Sequence, residues 1–142
     1  MTVIDQEAER ILAERFGKDS LIALATTEEG APRVRYVDAL YENGSFYVIT
    51  HALSGKMRQL AQNPQAAIAG EWFTAIGTGE NMGYFGRPEN ADMAQKLRAA
   101  FAAWIDNGHN DFSDENTCIL RLRLQTGVLM SHGTRYELDF AE

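Results

Sequence analysis

The chain has 142 residues, 45% of them hydrophobic and 23% charged, with a formal net charge of −7. This length and composition suit one globular domain spanning residues 1–142 and exclude disordered and fibrous classes. The acidic balance argues against broad contact with nucleic-acid phosphates, which takes lysine and arginine to displace counterions, but leaves room for one local basic pocket.

In chain order, Ile4, Ala8, Ile11, Leu12 and Phe16 recur at helical spacing, with Asp5 placed to cap a helix and Gly17 to stop it. The same segment mixes acidic and basic residues without a long apolar core, so it reads as neither secretion signal nor anchor. No stretch approaches the roughly 20 apolar residues of a membrane span, and a cytoplasmic location is expected. "SLIALAT" (20–26) has the composition of a buried strand, and "EEGAP" turns the chain. "RVRYVDALY" (33–41) alternates, placing Arg33, Arg35 and Val37 on one face. Asn43-Gly44 is a strong hairpin signal, and "SFYVIT" is the returning strand. A loop carrying Thr50, His51, Ser54, Gly55 and Lys56 then leads into a short amphipathic helix closed by Asn63-Pro64.

"AAIAGEWFTAIGTGENMGYFG" reads as one or two strands, and its glycines at 77, 79, 83 and 86 predict bulges or close approach of another group. Residues 88–105 are predicted as the longest helix, with Met93, Leu97, Phe101, Trp104 and Ile105 as its stripe and Asn107-Gly108 as its end. After an acidic polar loop, "CILRLRL" alternates strictly, "TGVLMS" continues it and "TRYELDF" makes a last strand. Strands joined by hairpins do not build a doubly wound parallel sheet. The order fits a mainly β (α+β) chain, a small antiparallel barrel with helices packed outside it.

Few residues carry an obvious chemistry. The single cysteine, Cys118, excludes an internal disulfide and reads as a small buried hydrophobe. His51, His109 and His132 lack metal-ligand spacing, so no metal site is expected. There is no nucleophile-elbow motif, and "GTGENMG" lacks the spacing of a dinucleotide loop. The loop before the second helix is the exception. A helix N-terminus attracts anions, and dipole logic disfavours a lysine in its first turn. Ser54 and Lys56 are therefore either a cap and a solvated charge, or part of an anion cradle. Arg35 tips the reading, because the hairpin returns its strand to Thr50 and lets the guanidinium reach the same point.

The ordered combination of strand arginine, hairpin, "T…S-x-K" loop and Asn-Pro-closed helix, within residues 21–72, resembles the pyridoxamine 5'-phosphate oxidase-like group of FMN-binding split-barrel proteins. The resemblance implies a split antiparallel barrel of roughly six to eight strands with flanking helices. It implies FMN held at the interface of a homodimer, with Arg35 and Lys56 on the phosphate and Thr50 and Ser54 adding hydroxyls. The backbone of Tyr36, Val37 and Asp38 would run beside the ribityl chain and ring, with Glu71, Trp72, Glu80 and Asn81 as further candidates for the ring edge. An FMN-dependent oxidoreductase taking a small-molecule substrate or electron donor is the expected function, with no catalytic residue assigned and no nucleic acid or membrane as partner. Gly55 stands where the oxidase carries an arginine and Leu40 where it carries a lysine for the substrate phosphate, so vitamin B6 oxidation itself is not expected. The alternatives are a non-catalytic flavin-binding or stress-response module, and a split barrel holding deazaflavin or haem, the latter needing His51 or His132 as axial ligand.

Overall fold

The structure is a computed structural model that describes residues 4–140. Helix α1 (Gln6–Phe16) begins as its sequence dictates: Asp5 Oδ1 accepts hydrogen bonds from the backbone N–H of Glu7 at 2.7 Å and Ala8 at 3.2 Å. Ala8, Ile11, Leu12 and Phe16 form its buried stripe. Strands β1 (Ser20–Glu28), β2 (Ala31–Glu42) and β3 (Ser45–His51) then form an antiparallel meander. Asn43 and Gly44 turn the second hairpin with φ of 53° and 86°, a conformation that these residue types accept at low cost.

Helix α2 (Gly55–Gln62) leads into β4 (Gln65–Gly70) and β5 (Phe73–Tyr84). The β5 ladder shifts register between Ile76 and Gly77 and again between Asn81 and Tyr84, so the glycine-rich stretch does carry its irregularities. Gly79 serves packing: a Cβ there would lie 2.8 Å from Leu60 Cδ1 of α2. The predicted helix over 88–105 is shorter than its apolar stripe. Pro88–Asn90 form a 3₁₀ turn, α3 runs Ala91–Ala100, and successive turns carry the chain to Asn107. Phe101 and Ile105 stay on the buried side because Ile105 N–H still bonds the Phe101 carbonyl at 2.8 Å. The last strands are β6 (Thr117–Ser131) and β7 (Thr134–Asp139).

The seven strands lie in the order β3-β2-β1-β4-β5-β6-β7, and β3 also pairs with β6, so six strands close into an antiparallel barrel and β7 extends it from β6. Inward positions of every barrel strand, joined by the stripes of α1 and α2, make the larger core. The Phe16 ring stands 5.6 Å from Phe46 and 5.7 Å from Phe73 at one end of the barrel. Met57 and Leu60 of α2 cover the other end against β1 and β5. A second core sits outside, where Met93, Leu97, Phe101 and Ile105 cover Leu40 and Ile119. Among the described residues no helix is long and apolar enough to cross a membrane.

The barrel is split at one seam. β2 pairs with β3 only at Leu40↔Tyr47, Tyr41↔Phe46 and Glu42↔Ser45. Beyond that point β3 stays on β6, through Thr50↔Cys118 and His51↔Thr117, while β2 stays on β1. Among the described residues the edge of β2 before Leu40 is thus without a ladder partner on its β3 side.

Candidate functional site

At the α2 end of this seam a short polar network breaks the apolar interior. Positions 22, 24 and 26 of β1 all point inward, and the last is a threonine. On α2 the buried residues are Met57, Gln59 and Leu60, again with one polar member. Arg35, on the inward parity of β2, reaches both. Its Nη1 donates to Thr26 Oγ1 at 2.8 Å and to the Leu24 carbonyl at 3.2 Å, and its Nη2 donates to Gln59 Oε1 at 2.8 Å. The Thr26 hydroxyl in turn donates to Gln59 Oε1 at 2.5 Å.

Every acceptor on Arg35 is neutral, so the guanidinium is held in place with its charge uncompensated. Burial, reinforced by the charge of Arg33, pulls its pKa below the ordinary arginine value. Lys56, in the first turn of α2, is in the same position. Burial and then the neighbouring Arg35 guanidinium hold its amine below the ordinary lysine range, with Cys118 acting weakly in the opposite sense. Ser54 occupies the N-cap position of α2, as its sequence predicts, but makes no capping hydrogen bond. Its hydroxyl is instead buried with no hydrogen-bond partner. Two cations and an orphaned hydroxyl at a helix N-terminus are the chemistry of a site for an oxyanion.

The other predicted residues divide. Thr50 is buried near the end of β3, opposite Cys118, at the start of the same loop. Tyr36, Val37 and Asp38 do not share a direction: the Tyr36 side chain is 73% exposed on the outer face, whereas Val37 is buried in the inner core. Asp38 faces outward, its carboxyl raised by burial and then by the carboxyl of Asp19. What the three have in common is the unpaired edge of β2. Thr26 and Gln59 escape the sequence reading, although a polar residue at an inward or buried-stripe position was the available signal. His51 is engaged elsewhere. Its Nδ1 accepts from the Leu53 N–H at 3.2 Å, which leaves Nε2 to donate to Asp114 Oδ2 at 2.9 Å. Among the described residues no group of three histidine, cysteine or acidic side chains could hold a metal.

Outside the barrel, β1, β2, β4, β5 and β6 present a shallow apolar groove of about 620 Å³, bordered by Ala23, Val34, Ala67, Ala69, Ile76 and Val128. Val34 is 71% and Ile76 53% exposed there.

The family model for pyridoxamine 5'-phosphate oxidase matches residues 4–130, which takes in the barrel, the seam and the polar network. The chain belongs to the pyridoxamine 5'-phosphate oxidase family. Solved structures share its split-barrel fold at low identity. General stress protein 26 from Bacillus anthracis superimposes with a TM-score of 0.66 at 14% identity, over 86% of this chain and 92% of that one. A FAD-binding protein from Mesorhizobium loti gives 0.62 at 16%, over 89% and 94%. A heme binding protein from Mycobacterium smegmatis gives 0.67 at 21%, over 92% of this chain and 55% of that one. No curated protein sequence matches the chain.

Proposed function

We propose that this protein binds FMN and works as an FMN-dependent oxidoreductase on a small molecule. The observation that carries the proposal is the pairing of two uncompensated cations, Arg35 and Lys56, with the unpartnered hydroxyl of Ser54. A phosphate dianion satisfies all three, since it brings the missing charge and several acceptor oxygens. Thr50 adds a second hydroxyl at the start of the loop. From this anchor the ribityl chain and ring follow the unpaired edge of β2 past Tyr36, Val37 and Asp38, whose backbone groups supply hydrogen bonds.

FMN, when bound, supplies two-electron redox chemistry that no side chain of the protein offers. The protein's own part is positional and electrostatic. Arg35 is locked by Thr26, Gln59 and Leu24 before any ligand arrives, so little ordering cost remains at binding. Lys56 is held deprotonation-prone by burial and by Arg35, and an arriving phosphate favours its charged form. A second copy of the chain packs on the apolar outer face, covering Val34, Tyr36 and Ile76 and walling the ring from water. The substrate differs from pyridoxamine 5'-phosphate, because Leu40 is buried beneath α3 and offers no cation to a substrate phosphate.

Haem is the less suitable occupant. Both ring nitrogens of His51 are engaged, with Leu53 and Asp114, and His132 lies in the β6–β7 turn, at the opposite end of β6 from the Thr50–Cys118 pair. The test is a visible absorption spectrum of the purified protein after loading with FMN and desalting. Retained bands of oxidised flavin, with FMN recovered on denaturation, are expected. A protein that leaves the column colourless contradicts the proposal.

A further inference from the structure

Gln59 faces two ways. Arginine has hydrogen-bond donors and no acceptor, so the Gln59 atom that meets Arg35 Nη2 at 2.8 Å has to be the carbonyl oxygen. The same oxygen takes the Thr26 hydroxyl at 2.5 Å, which fixes the amide orientation from a second side. The NH₂ end is therefore turned away from Arg35. It lies at the first turn of α2, where a Cβ placed on Gly55 would be 3.8 Å from Gln59 Nε2. Gln59 is only 8% exposed, and among the described residues no hydrogen bond holds this NH₂ group, which keeps access to solvent rather than being sealed off like the Ser54 hydroxyl. The orphaned Ser54 hydroxyl belongs to the same helix start.

We infer that Gln59 is a ligand-contacting residue of the anion site: its NH₂ group donates to an oxygen of the bound phosphate while its carbonyl oxygen aims Arg35 at the same group. The inference rests on the anion-site reading above and extends it to a residue outside the arginine, lysine and hydroxyl set. It also defines a chemical preference. Arg35, Lys56 and the Gln59 NH₂ offer only donors, with the Ser54 hydroxyl able to join them, and no carboxylate takes part. A tetrahedral phosphate monoester, with three non-bridging oxygens, can meet more of these donors than a carboxylate with two.

The test compares FMN with riboflavin, which lacks the phosphate, by flavin fluorescence titration of the full chain. The wild type is expected to bind FMN more tightly than riboflavin. In Gln59→Met the ratio of the two affinities should fall on the order of tenfold, the loss of one hydrogen bond to a charged group, with riboflavin binding unchanged. In Gln59→Glu it should fall further, because a carboxylate at that place repels phosphate and pairs with Arg35. A folded Gln59→Met that keeps the wild-type ratio, or that weakens both ligands equally, overturns the inference. If Gln59→Met does not fold, the near-isosteric Gln59→Glu decides in the same way, and a retained ratio overturns it. A wild type that binds FMN and riboflavin equally removes the anion site itself, and this inference with it.

Discussion

Arg35 of β2 and Lys56 of α2 are neighbours, and the amine of Lys56 is held below the ordinary lysine range by burial and then by the Arg35 guanidinium. Each is fixed by the fold: Arg35 by neutral acceptors on β1 and α2, and Lys56 by its place in the first helical turn. Like charges kept together in a half-buried place cost stability.

Lys56→Met should therefore stabilise the ligand-free protein. The gain is on the order of 1 kcal/mol, or about 3 °C in Tm, for removing a half-buried charge beside another while keeping the aliphatic stem. The sign with pH follows from the depressed amine. The unfolded chain binds the Lys56 proton more tightly than the folded one, so the wild type gains stability as pH rises from the folded value of this amine toward the ordinary lysine value. The stabilisation by Lys56→Met should shrink over that same alkaline window. Thermal melts of both proteins across it provide the check.

Asp38 gives a prediction of the same kind at acid pH. Its carboxyl is raised by burial and by Asp19, whose Oδ2 also accepts from Trp104 Nε1 at 2.9 Å. The folded state holds this proton more tightly than the unfolded chain, so the contribution is present at low pH and lost as pH rises through the folded value. Asp38→Asn should raise Tm at neutral pH and lose that advantage below the ordinary aspartate range. Equal Tm differences at pH 3 and pH 7 would speak against a raised Asp38 (about 3.9 is the ordinary value).

The apolar outer face predicts self-association. Val34 and Tyr36 are opposite Ala25 and Ala23 in the β1–β2 ladder, so an arginine at position 34 puts a charge among apolar neighbours on this face. Val34→Arg should shift the protein from dimer to monomer in sedimentation velocity while its circular dichroism stays unchanged. A wild type that sediments as a monomer at every concentration would contradict the covered-face reading.

Much of this arrangement is legible in the sequence because its signals are local. Asp5 caps the helix it precedes, Asn43-Gly44 turns the hairpin it separates, and the order Arg35, Thr50, Ser54, Lys56 places the charges on one loop and its neighbouring strand. Thr26 and Gln59 are different. Nothing near either residue explains a polar side chain at a buried position, and the reason appears only when β1, β2 and α2 meet at Arg35. The split in the barrel is equally non-local, since it depends on β3 leaving β2 for β6. The predicted helix over 88–105 overruns α3 for the opposite reason: the apolar stripe continues because the turns after Ala100 keep Phe101 and Ile105 buried. Periodicity reports burial, and burial continued where the helix did not.

We propose that Arg35 and Lys56 hold the phosphate of a bound flavin, which the FMN dissociation constants of the wild type, Arg35→Ala and Lys56→Met at one fixed salt concentration will decide. Each substitution should weaken binding by about 1.5–3 kcal/mol, the range for hydrogen bonds to charged groups. Lys56→Met should do so even though it makes the protein more stable. Unchanged FMN affinity in both folded variants would contradict the account.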